Sequence, residues 1–214
     1  MLERVLLKNY ALLPAFDTRE ILRYAGYRGE VDGATKALLN DCLHECEGVF
    51  SYRVCYTALK TDAPLLQGGE LVKRRLSGCD RAIVFAATVG LGIDRLIAKY
   101  ASISAAKALI FQAIGAERIE ALCDLFCEEL RGEYGYTTIR FSPGYGDFPL
   151  EKQREIFELL ACPKHIGVSL TESLLMTPTK SVTAVVGLSS ACIDEKSESG
   201  CAACEKKDCD YKRK

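Results

Sequence analysis

The sequence predicts a fold of mixed α and β character, and three stretches predict it. Residues 49–56 alternate, with Phe50, Tyr52, Val54 and Tyr56 on one side and Ser51, Arg53 and Cys55 on the other. That is the period of a half-buried strand. Ala82-Ile83-Val84-Phe85-Ala86-Ala87 is a continuous apolar run, which suits a central strand. Residues 105–131 place Leu109, Ile119, Leu122, Phe126 and Leu130 on a helical stripe, with Ser102 or Ser104 available as a cap.

The remaining elements follow from local chemistry. Residues 1–15 have no strong pattern and end near Pro14. Asp17 or Thr18 can cap a helix running through Ile21, Leu22 and Tyr24 to the break at Gly26-Tyr27-Arg28-Gly29. A second helix over 34–47 carries Leu38, Leu39, Cys42, Leu43 and Cys46 as its apolar stripe, and Gly48 stops it. Ala63-Pro64 and Gln67-Gly68-Gly69 mark turns before a short helix over 70–76. A strand, Gly90-x-Gly92 and a helix have the order of a dinucleotide loop. Arg95 stands where the third glycine belongs, however, and no acidic partner ends a second strand, which favours a tight strand-to-helix turn. Thr137-Thr138-Ile139 is a short strand, and Asp147 is placed to cap a helix over 149–160 with proline in its first turn. Residues 167–170 and 181–186 read as further strands, joined by a polar connection through 171–173 and 176–179.

With 214 residues the chain can bury one large core or two small ones. Hydrophobic residues are 49% and charged residues 27%, the balance of a soluble globular protein. The net charge of −1 gives no field to gather nucleic acid or an anionic membrane. No apolar run reaches the roughly 18–20 residues that span a bilayer, and Met1-Leu2-Glu3-Arg4-Val5 lacks a signal-peptide layout. The expected location is cytoplasmic, where the 11 cysteines would stay reduced. Cys42 and Cys46, like Cys123 and Cys127, stand four apart on one helical face and read as buried core thiols.

Composition changes near the C-terminus, dividing a domain of residues 1–190 from a tail of residues 191–214. The tail is charged, small or cysteine, with no apolar period. Cys201, Cys204 and Cys209 form C-x2-C-x4-C, and Cys192 can complete a four-ligand set for Zn²⁺ or an iron–sulfur cluster. Redox-active or merely exposed thiols are the alternative. Elsewhere catalytic pairs are scarce: His44 and His165 are the only histidines, and neither has a supporting motif. The sequence contains no P-loop and no His-Glu-x-x-His.

One stretch is both stiffened and polar: Arg140-Phe141-Ser142-Pro143-Gly144-Tyr145-Gly146-Asp147-Phe148-Pro149. Glycine allows close backbone approach, proline fixes the path, and arginine presents a fork suited to a carboxylate. Tyrosine adds a flat face with a polar tip. Composition alone fits either a binding loop or an ordinary ordered connection.

The order of motifs around it is more specific. Arg140-x-x-Pro143-Gly144-Tyr145, a helix, His165-x-Gly167-x-x-Leu170-Thr171-Glu172-Ser173, Met176-x-Pro178 and Ser181-Val182 together resemble the activation domain of cobalamin-dependent methionine synthase. The likeness runs over about 109–188, and Glu20-Ile21-Leu22-Arg23-Tyr24 with Gly26-Tyr27-Arg28-Gly29 fits the family's shorter, stand-alone members. The resemblance implies one α+β domain, a twisted antiparallel sheet flanked by helices, with the irregular Cys-rich tail beyond it. It implies S-adenosylmethionine as ligand and support of the reductive remethylation of cob(II)alamin. Cobalamin would be carried by a partner, the cobalamin-binding module of a methionine synthase or another corrinoid protein. A flavodoxin-like or other donor would supply the electron. The chain would then be a component of a methyltransferase activity, acting in trans.

Carried over by position, the resemblance makes Arg140 and Tyr145 ligand contacts, Phe141 a site of backbone contacts, Gly144 a point of close approach, and Glu120 an acidic contact on the long helix. Two features depart from the family. Gly26-Tyr27 occupies the place where large synthases carry an aspartate near an aromatic, and a second family tyrosine has no counterpart after Leu188. The cysteine tail is also foreign to large synthases. It keeps open a metal- or cluster-bearing redox activator of another corrinoid protein, and a binding scaffold with a decayed ligand site is a third, separate reading.

Overall fold

The computed structural model describes residues 4–67 and 69–189. Its centre is a five-stranded antiparallel sheet in the order β1-β2-β3-β7-β4. The strands are β1 (Leu6–Tyr10), β2 (Tyr52–Lys60), β3 (Arg81–Thr88), β4 (Tyr136–Thr137) and β7 (Ser181–Ser189). A separate ladder pairs β5 (Ser169–Leu170) with β6 (Met176–Thr177). The helices are α1 (Thr18–Tyr24), α2 (Gly33–Glu45), α3 (Glu70–Arg75), α4 (Gly92–Ala101), α5 (Ala105–Tyr134), α6 (Lys152–Leu160) and α7 (Cys162–His165). The expected α+β fold with an antiparallel sheet flanked by helices is the observed one.

Both faces of the sheet are covered, so successive strand residues feed two cores. Ile83, Phe85 and Ala87 of β3 join the core under α1, α2 and α5, while Ala82, Val84 and Ala86 join the core under α3, α6 and α7. This is why the run from Ala82 to Ala87 has no polar alternation. On the first face Phe126 of α5 packs against Tyr56 and Phe85, with ring centres 5.1 and 5.0 Å away.

Local signals placed most helices correctly. Asp17 caps α1 by accepting from the amides of Arg19 and Glu20, and Ser104 caps α5 through Lys107. Gly48 follows α2 at φ +68°. Gly90 and Gly92 serve packing: a Cβ on Gly92 would lie 2.1 Å from the Val49 carbonyl oxygen. The strand-to-helix turn is therefore a close backbone crossing.

Four expectations need correction. The strand predicted over 49–56 is β2, and it is buried on both faces, because Cys55 is 0% exposed beneath the α6 side. Leu109 is 47% exposed and lies off the buried stripe of α5. Residues 176–177, read as part of a polar connection, pair with β5. Asp147 does not cap α6, whose cap position is Glu151 with no side-chain bond. Its carboxylate instead accepts from the Glu70 and Leu71 amides at 2.6 and 3.1 Å, capping α3.

Candidate functional site

The loop 140–149 is stitched to the sheet at its first turn. Phe141, 4% exposed, donates its amide to the Val185 carbonyl at 3.0 Å and accepts from the Val185 amide at 2.8 Å. Its ring meets Phe148 edge-on at 5.7 Å, deep in the α6-side core. Between these two anchors Gly144 sits at φ +88° and donates to the Phe148 carbonyl at 2.8 Å. The Tyr145 amide donates to the Ser142 carbonyl at 3.1 Å, and the tyrosine itself stands 71% exposed at the loop tip. Asp147 then ties the loop to α3. The loop is fixed by its own backbone, with its aromatic tip left free.

Anchoring Phe141 aims the preceding side chain along α5. The Arg140 guanidinium pairs with Glu120 at 2.5 Å and with Asp124 on the next turn. The Cys127 thiol lies against the same guanidinium. These three positions share one helical face, at spacings of four and three. Although burial opposes its charge, the adjoining acidic groups more than offset this and raise the Arg140 pKa above its ordinary value. It is a permanent cation in this setting.

Glu120 and Asp124 also line a cleft of about 330 Å³ between residues 14–24 and α5. Pro14, Asp17, Glu20, Tyr24 and Glu128 form other parts of its wall. One end is pinned by a buried pair, Glu117 with Arg118. Arg118 donates to the Pro14 carbonyl at 2.8 Å, and Glu117 accepts from the Asp17 amide at 3.2 Å. Arg118 also covers the Phe16 ring at 4.2 Å. Burial, aided by the nearby Glu120 charge, pushes the Tyr24 phenol up. The cleft offers carboxylates and Tyr24, whose ring is covered by the Arg23 guanidinium at 4.3 Å, with Arg118 in its wall and Arg140 beside it.

A family model described as vitamin B12 dependent methionine synthase, activation domain, matches residues 69–193, more than half of the chain. The chain belongs to this activation-domain family. The fold agrees: the crystal structure of the MetH reactivation domain bound to AdoHcy is similar at a TM-score of 0.63 and 20% identity. That likeness covers 87% of this chain and 78% of the other. No curated protein matches the chain.

Of the residues that the activation-domain resemblance proposed, Arg140 and Glu120 are in contact. Phe141 is their buried anchor, Gly144 supplies the turn, and Tyr145 stands apart from the cleft lining. Cys192, Cys201, Cys204 and Cys209 lie outside the described residues. Among the described residues no group of three or more His, Cys, Asp or Glu is arranged to hold a metal ion, and no helix is long and apolar enough to cross a membrane. One partner of Arg140 escaped the sequence reading. Asp124 carried one usable signal, its spacing four residues after Glu120. Asp17, read only as a helix cap, also lines the cleft, whereas Gly26 and Tyr27 are not among its lining residues.

Proposed function

We propose that the chain binds S-adenosylmethionine beside Arg140 and α5, and thereby supports reductive remethylation of a cobalamin carried by a partner module in trans. The observation that carries this reading is the Arg140–Glu120 pair at the edge of a cleft, within the stretch matched by the activation-domain family. A volume of about 330 Å³ falls in the range of small-molecule sites. In this reading the Arg140 fork takes the methionyl carboxylate. Glu120 and its neighbours meet the ammonium group or the ribose hydroxyls. Tyr145 offers its exposed face to adenine or the sulfonium. Gly144 lets the backbone come close, while Phe141 keeps Arg140 aimed.

Cobalamin, carried by the partner, would supply the acceptor for the methyl group, with the electron coming from a flavodoxin-like or other donor. The methyl donor then departs as S-adenosylhomocysteine. The role of this chain is to hold and orient the sulfonium ligand.

Titration calorimetry with S-adenosylmethionine tests the reading. Wild type should bind, and Arg140→Ala should weaken binding at least tenfold, about the worth of one charge-assisted pair. No binding by wild type, or equal binding by both proteins, overturns it.

A further inference from the structure

Arg140 is not waiting empty for a ligand. One terminal nitrogen of its guanidinium faces Glu120 and the other faces Asp124. The two carboxylates differ in setting. The Asp124 side chain is 60% exposed and the Glu120 side chain 40%, against 22% for Arg140. An incoming carboxylate that kept both partners would place three anions around one cation. The more exposed pair is the weaker one to give up, since water screens it and replaces its bond.

Resting on the reading that Arg140 takes the ligand carboxylate, we infer that Asp124 is an internal competitor for that carboxylate and lowers the affinity of the site. Asp124 mimics the ligand in the free protein, holding one nitrogen of the fork against α5. Binding exchanges one carboxylate for another on the same nitrogen, while Glu120 keeps its place. No covalent step is involved. Asp124 is a specificity-determining residue: its competition acts on ligands that carry a carboxylate and leaves those without one unaffected.

The exchange predicts a substitution that improves binding. Asp124→Asn keeps the side-chain shape and an acceptor oxygen but removes the charge. It should bind S-adenosylmethionine about three- to fivefold more tightly than wild type, matching the upper range of an exposed ion pair. Decarboxylated S-adenosylmethionine, which keeps the sulfonium and the amine, should show no such gain. Calorimetry with both ligands on both proteins reads this directly, with circular dichroism to confirm an unchanged fold. Unchanged or weaker binding of S-adenosylmethionine by Asp124→Asn overturns the inference and leaves the ligand assignment standing. An equal gain for both ligands also overturns it, because the effect would then be general charge removal. If neither protein binds S-adenosylmethionine, the ligand assignment itself fails, and this inference with it.

Discussion

The bond between Asp147 and α3 joins two parts of the chain that sequence keeps far apart, and it can be measured. Helix α3 has six residues, and its cap position is Gly69, which has no side chain to offer. The Asp147 carboxylate fills that role from the 140–149 loop, at 2.6 Å to the Glu70 amide and 3.1 Å to the Leu71 amide. Losing a capping side chain costs about 1 kcal/mol, within a range of roughly 0.5–2 kcal/mol, and the part due to the helix dipole is screened by salt. Asp147→Ala should therefore lower unfolding stability by about 1 kcal/mol. Gly69 has φ −65°, ordinary for any residue. A Cβ there would nevertheless lie 2.1 Å from the Asp147 carboxyl carbon. Gly69→Ala must expel the same carboxylate and should lose about the same stability. Once Asp147 is gone, adding the methyl should cost almost nothing. Urea unfolding of the four proteins reads the coupling as a change in midpoint at constant slope. Additive losses, or a loss below about 0.3 kcal/mol for Asp147→Ala, would refute the cap.

Three further outcomes follow from the same geometry. Gly144→Ala places a side chain at φ +88° with its Cβ 3.2 Å from Leu150, and should destabilise by about 1–2 kcal/mol in thermal unfolding. Glu117→Ala leaves the buried Arg118, with a side chain 3% exposed, without its carboxylate and held by neutral groups such as the carbonyls of Pro14 and Ala15. Removing one partner of such a pair should cost about 3–5 kcal/mol by denaturant titration. Burial pushes the Cys46 thiol from its ordinary 9.0 up to about 12. The unfolded chain then ionises this thiol first, so its stabilising effect is complete below pH 9 and is lost as pH rises toward 12. By pH 10 the loss is about 1.4 kcal/mol, and Cys46→Ala should flatten that part of the stability profile.

What the sequence disclosed depended on how local each interaction is. Asp17, Ser104 and Gly48 act within a turn of their own helices, so spacing and residue type revealed them. Asp147 has the same chemistry, but its partners lie 76 and 77 residues away, and no local rule distinguishes capping its own helix from capping another. The burial of Cys55 was hidden for a similar reason. Alternation reports which side chains share a face, but it does not report whether a second layer covers the other face. The cleft escaped entirely, because its walls are residues 14–24 and a helix about 100 residues later. Arg140 and Glu120 were found through the order of family motifs, while Asp124, which no motif marks, stayed unseen until the arginine was placed.

The helix that lines the cleft is also the helix that holds the arginine, and this limits how the site can move. On its inner side α5 buries Phe111, Ile114, Leu122 and Phe126 against the sheet, so its outer face is a rigid platform. Arg140 reaches that platform from a backbone locked to Val185 on β7. With both ends fixed, only the guanidinium and its exposed partners are left to rearrange on binding. A ligand exchange at Asp124 requires a side-chain shift of that size and nothing larger. Little ordering entropy is then lost when the site fills, which is the condition under which a few polar contacts give useful affinity.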